Sequence, residues 1–127
     1  MSLIKDYIKR ARYLYILASS PINEDTVLEE LCYLAHQAVE KAFKGLLLFY
    51  KVEPPRTHNI NQLLEEIAKH TEINDEIRNS GRLKVYIHET RYPDGYNEVP
   101  LDEYQNAITI TRRCLDWVQC IVKDELK

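Results

Sequence analysis

The sequence predicts an all-α protein, an up-and-down, largely antiparallel bundle of four to five helices. Three observations carry that expectation. Between Glu24 and Tyr50 the apolar residues Leu28, Leu31, Cys32, Ala35, Val39, Ala42, Phe43, Leu46, Leu47 and Tyr50 recur at intervals of three and four. That spacing lines up one stripe of an α-helix, and alternation at period two fails across the segment. A second long stripe closes the chain. Finally, three glycines and five prolines leave little room for a sheet with many tight turns.

The first helix is expected over residues 2–19, with Ile4, Tyr7, Ile8, Ala11, Leu14, Tyr15 and Ala18 facing inward and Ser2 placed to cap it. Ser19-Ser20-Pro21-Ile22-Asn23 breaks it. Asn23, Glu24 and Asp25 then open the spine, where acidic residues meet the positive end of the helix dipole. Glu29, Glu30, Tyr33, Gln37, Glu40, Lys41 and Lys44 mark its polar side. Pro54 and Pro55 make an extended linker. Asn59 with Gln62 resembles a capping box, opening a short helix that buries Ile60, Leu63, Leu64 and Ile67 and ends near His70. A fourth helix is expected from near Asn74. Within it residues 82–88 read as helix or as a short strand, since Leu83, Val85 and Ile87 alternate with polar residues. Pro93-Asp94-Gly95 marks a turn. The last helix starts at Pro100 and sets Leu101, Tyr104, Ile108, Thr111, Leu115, Val118 and Val122 on one face, widened by Ile110, Cys114, Trp117 and Ile121. So broad a face can cover the spine and also meet another subunit.

Residues 1–127 read as one domain, and 45% hydrophobic content is enough for a core. A formal charge of −3 argues against a surface built to grip duplex nucleic acid. No apolar run reaches the roughly 18 residues of a membrane span, and the charged N-terminus is unlike a signal peptide. Cys32, Cys114 and Cys120 have no zinc-site spacing and each lies in an apolar helical pattern. They read as buried, reduced thiols of a cytoplasmic protein. Glu-x-x-His pairs for a di-iron site, a phosphate-binding glycine loop and a nucleophile elbow are all missing, so no metal or cofactor is expected.

Two groups of residues carry chemistry. On the spine, His36, Glu40 and Lys44 stand four apart, with Gln37 and Lys41 alongside. An i,i+4 ion pair accounts for Glu40 and Lys44. It leaves His36 and Gln37 unexplained, and the row could line a ligand cleft. Later, Arg91, Tyr92 and Asp94 share a loop, where an arginine beside an aromatic ring can hold a phosphate and stack a base. The same residues could instead tie that loop to a helix end. Over 78–91, Arg78, Arg82, Lys84 and Arg91 stand against Glu89 alone, a local excess that favours an anionic ligand.

Three segments, in this order, carry a resemblance. They are Gln37-Ala38-Val39-Glu40-Lys41-Ala42, then Pro55-Arg56-Thr57-His58-Asn59, then Thr90-Arg91-Tyr92-Pro93-Asp94. Together they resemble the HEPN domain, in the branch of small prokaryotic proteins encoded beside a minimal nucleotidyltransferase. The resemblance implies a dimerising helical bundle that binds nucleotides or RNA, partnered with that nucleotidyltransferase in a toxin–antitoxin or defence-type pair. It adds Arg56 and His58 to the candidate binding residues, although His58 could simply organise the linker and cap. Many HEPN proteins are metal-independent ribonucleases with an Arg-x4–6-His motif, and Arg82 and His88 resemble it. His88 would move the proton of a ribose 2′-hydroxyl or of the leaving oxygen, and Arg82 would hold the phosphate. Leu83 departs from the polar residue that commonly follows that arginine. The first expectation is therefore a binding module, the alternative an endoribonuclease using Arg82 and His88, and the third a non-binding helical scaffold.

Overall fold

The computed structural model describes residues 2–86 and 99–127, and these form helices and turns with no strand among them. Helix α1 (Leu3–Ala18) is capped by Ser2, whose side chain accepts from the Lys5 N–H at 3.3 Å. It buries Ile8, Ala11 and Ala18, with Ile4, Leu14 and Tyr15 half-buried beside them.

The spine begins later than its sequence suggests. Asn23 Oδ1 accepts the Asp25 N–H at 2.8 Å, and the Asn23 N–H is donated to Thr26 Oγ1 at 2.9 Å. This closed turn competes with the helix for those backbone groups. Helix α2 accordingly spans Leu28–Phe49. Its end is a Schellman motif, with Val52 N–H bonded to the Leu47 carbonyl and Lys51 N–H to that of Leu48, both at 2.9 Å. Lys51 occupies the left-handed position of that motif at φ 64°, where glycine is the usual residue.

The linker then climbs back along α2, because His58 touches His36 and Glu40. Helix α3 (Ile60–Ile67) descends beside the spine until His70 stacks on Tyr50 at 5.1 Å between ring centroids. Asn59 caps it through the Asn61 N–H at 2.9 Å. The expected reciprocal half of a capping box is replaced, since Gln62 Oε1 accepts from the Thr57 hydroxyl.

Helix α4 is one turn, Asp75–Arg78, capped by Asn74. It continues as a 3-10 helix over Asn79–Tyr86, which decides the helix-or-strand question as far as Tyr86. A side chain at Gly81 would place its Cβ 2.0 Å from Asn61 Oδ1, so the Asn61 amide lies directly over this glycine and would have to swing aside for any larger residue. Helix α5 (Leu101–Val122) follows, and the chain ends in a 3-10 turn over Lys123–Leu126.

Contacts at both ends fix the directions. Gly45 packs on Tyr7 and Ile8, and Tyr104 donates to the Ala18 carbonyl at 2.6 Å, so α1 runs opposite to both α2 and α5. Glu29 bonds Val99 near the start of α2 and α5, and Phe43 meets Trp117 edge-on near their ends, so these two run the same way. One apolar cluster takes members from all five helices, with Phe43, Leu46, Leu47, Ile60, Leu63 and Val118 fully enclosed.

Three burial expectations are corrected. Glu29 and Glu40, placed on the polar side of the spine, are each only 3% exposed. Cys120 is exposed, unlike Cys32 and Cys114, because two residues past Val118 carries a side chain well around the helix from the core. Leu101 is 48% exposed although Val99 and Tyr104 on either side of it are buried, and Ala107, absent from the expected stripe, is buried as well. Among the described residues no helix is long and apolar enough to cross a membrane.

Candidate functional site

The spine's polar row folds into one connected cluster. Glu40 is the hub: its Oε2 accepts from Lys44 Nζ and its Oε1 from His58 Nδ1–H, both at 3.0 Å. The i,i+4 spacing on α2 delivers Lys44, and the climbing linker delivers His58. One turn earlier, His36 Nε2–H donates to the His58 backbone carbonyl at 2.8 Å. A carbonyl can only accept, so this bond fixes the tautomer and leaves Nδ1 as a bare lone pair. That atom is buried and has no partner among the described residues.

Environment separates the four side chains. His36 is 1% exposed, and its pKa is lowered. Burial is the main cause and outweighs the opposing influence of the His58 carbonyl and the Glu40 charge. The side chains of Glu40 and Lys44 are 4% and 12% exposed, whereas that of His58 is 75% exposed. The His58–Glu40 pair therefore has one end in water, while Glu40 and Lys44 form a largely enclosed ion pair. Gln37 lies alongside and donates Nε2–H to the Tyr33 hydroxyl at 2.9 Å. Tyr33, His36, Gln37, Glu40 and His58 line a cavity of about 50 Å³. Tyr33 is not among the candidates the sequence offers, although its place four residues before Gln37 puts it on the same row.

The remaining candidates are placed less tightly. Lys41 is half-buried on α2, and Arg56 is exposed on the linker. Arg82 is exposed on the 3-10 helix and lines a separate cavity of about 270 Å³ with Tyr86, Glu103, Asn106 and Ile110. Tyr86 donates its hydroxyl to Glu103 Oε1 at 2.6 Å, and burial and that carboxylate push its pKa up. Neither Glu103 nor Asn106 was foreseen; their only signal is a shared face one turn apart at the start of α5. His88, Arg91, Tyr92 and Asp94 lie outside the described residues. Among the described residues no group of three or more His, Cys, Asp or Glu side chains could hold a metal ion.

The HEPN domain family profile matches residues 4–121. The archaeal HEPN homologue ST0689, known from a crystal structure, is 30% identical, superposes with a TM-score of 0.72, and covers 100% of both chains. The protein TT1696 from Thermus thermophilus is 25% identical, with a TM-score of 0.77 over 94% of this chain and 98% of that one. No curated protein matches the sequence significantly.

Proposed function

The chain belongs to the HEPN domain family, and from that premise we propose that it is a dimeric nucleotide- or RNA-binding module, partnered with a minimal nucleotidyltransferase in a toxin–antitoxin or defence-type pair. The observation that carries this reading is the cluster on α2. A packed bundle has no need of a buried carboxylate, a buried imidazole with a bare lone pair and an exposed histidine on one short row. A site that must present polar groups to a ligand does. Arg56, two residues before His58, and Lys41 supply cations for phosphate, and Arg91, Tyr92 and Asp94 add phosphate- and base-binding residue types later in the sequence. The dimer is supported by apolar side chains that α1 leaves in water, Leu3 at 58% exposure and Tyr13 and Ile16 at 61% each.

The test is fluorescence anisotropy of a labelled single-stranded RNA across a salt series, with wild type, Arg56→Ala and Arg91→Ala. Each variant is expected to weaken binding and to lower the salt slope by about 0.7, the value for one single-strand phosphate contact. Failure of the wild type to bind at low salt contradicts the reading.

One observation favours a second reading, a metal-independent endoribonuclease. Arg82 is exposed beside a cavity that also offers Glu103 and Asn106 to a substrate. Incubating total RNA in EDTA with wild type and His88→Ala separates the two. Cleavage by the wild type alone assigns a nuclease, and intact RNA with both leaves the binding module.

A further inference from the structure

Helix α1 and the C-terminal turn enclose an open groove of about 420 Å³ whose charges are all of one sign. Lys5, Lys9 and Arg12 line it beside the apolar side chains of Tyr13, Ile16 and Leu126, and none of its lining residues is acidic. Lys5 Nζ is taken up by the Lys127 carbonyl at 2.9 Å. Lys9 and Arg12 are exposed and form no ion pair among the described residues. Asp6 and Glu125 border Lys5 and Lys9 in the adjoining cleft, but Asp6 is bonded to Arg10 and Glu125 pairs with neither lysine.

The complement of this groove lies on the same chain. The turn after α1 leaves Ile22 and Val27 in water, at 39% and 49% exposure. Between them stand Glu24 and Asp25, both exposed and without an ion pair among the described residues. The turn thus joins acidic to apolar groups as the groove joins basic to apolar ones. The bonds of Asn23 to Asp25 and Thr26 already hold its shape, so little ordering is lost when it docks. Within one copy the two stay apart. The turn leaves the helix beyond Ala18, and Lys5 lies about 20 Å back along it at the helical rise per residue.

We propose that the chain dimerises through antiparallel α1 helices, with the acidic turn 21–27 of each copy seated in the basic groove of the other. Tyr13 lies near the two-fold axis, so Ala18 of one helix is level with Ile8 of its partner. The turn beyond Ala18 then falls beside the partner's Lys5 and Lys9, and symmetry repeats the contact. This rests on the dimer of the reading above, and adds the surface and the symmetry that reading lacks.

The experiment is sedimentation equilibrium of the full chain with two charge-reversed variants. One carries Lys9→Glu and Arg12→Glu in the groove, the other Glu24→Lys and Asp25→Lys in the turn. Either variant alone sets like charges together at both contacts, and should dimerise at least about tenfold more weakly than wild type. An equimolar mixture sets acid against base at both contacts, and should recover an affinity within about threefold of wild type. That recovery also shows both variants folded. The wild-type dimer should weaken as salt rises, because exposed charges are screened, and this reading needs no variant. A monomeric wild type overturns both the proposal and the dimer. A dimer that neither variant weakens, or that salt leaves unchanged, overturns the proposal and leaves dimerisation to another surface. Two weakened variants that do not rescue each other overturn the pairing of groove with turn. So does a groove variant that still dimerises but loses single-stranded RNA, which would give the groove to RNA.

Discussion

Replacing Glu29 tests how the start of α5 is held against the spine. Glu29 is 3% exposed in the first turn of α2, and its Oε1 accepts the Val99 N–H at 2.8 Å across 70 residues of sequence. Glu29→Ala leaves that N–H buried without an acceptor. A bond to a charged group contributes roughly 1.5–3 kcal/mol. Losing the packing of two methylenes adds about 1.6 kcal/mol. Alanine's better helix propensity returns only a few tenths of a kcal/mol. The expected destabilisation is therefore about 3 kcal/mol by urea denaturation at unchanged m-value. Glu29→Gln retains an oxygen for Val99 and loses only the charge beside the helix N-terminus, so it should cost about 1 kcal/mol or less. Equal losses for the two variants would refute this account of the bond, as would an alanine variant within about 0.5 kcal/mol of wild type, the range of an ordinary surface substitution.

Three further predictions follow from single features. Lys51 is in a left-handed conformation at φ 64°, so Lys51→Gly should stabilise the fold by about 1 kcal/mol; a lower urea midpoint would contradict the Schellman assignment. Because His36 has a lowered pKa in the folded chain, the unfolded chain binds the extra proton first as pH falls below about 6.5. Stability should then drop toward acid by up to about 1.4 kcal/mol per pH unit and be fully present above that pH. Glu40 and His58 face His36 from α2 and the linker, so the readout is the wild type minus His36→Gln between about pH 5 and 7.5, and identical slopes would refute it. Finally, a thiol reagent should find one fast cysteine, Cys120. Cys32 is enclosed and burial pushes Cys114 up to about 12, so a second fast thiol in Cys120→Ser would contradict the packing of α5 on α2.

The helices were legible because their cause is local. The three-and-four spacing of Leu28 to Leu47 and of Tyr104 to Val122 needs only one face to be buried, whatever covers it. The start of α2 was misplaced because Asn23 and Thr26 satisfy each other in a turn, a competition that propensity alone does not rank. Glu29 and Glu40 looked like surface residues since nothing within one helix says that Val99 or His58 will arrive opposite them. Much of the site was visible as residue types on one row: His36, Gln37, Glu40 and Lys44. The sequence left two roles open for His58, and the fold shows the organising one, since its carbonyl orders His36 and its ring bonds Glu40. The bare Nδ1 of His36 could not be read, because it depends on where a linker carbonyl comes to rest. Arg82 is placed beside Glu103 by the pairing of the 3-10 helix with α5, again a long-range event.

Sedimentation velocity with a fluorescein-labelled single-stranded RNA, in EDTA and low salt, tests the central claim most directly. The account predicts that the label moves with a protein dimer, that raising the salt releases it, and that the recovered RNA is intact. Label remaining at the rate of free RNA beside a monomeric protein, at concentrations of tens of micromolar, would contradict it.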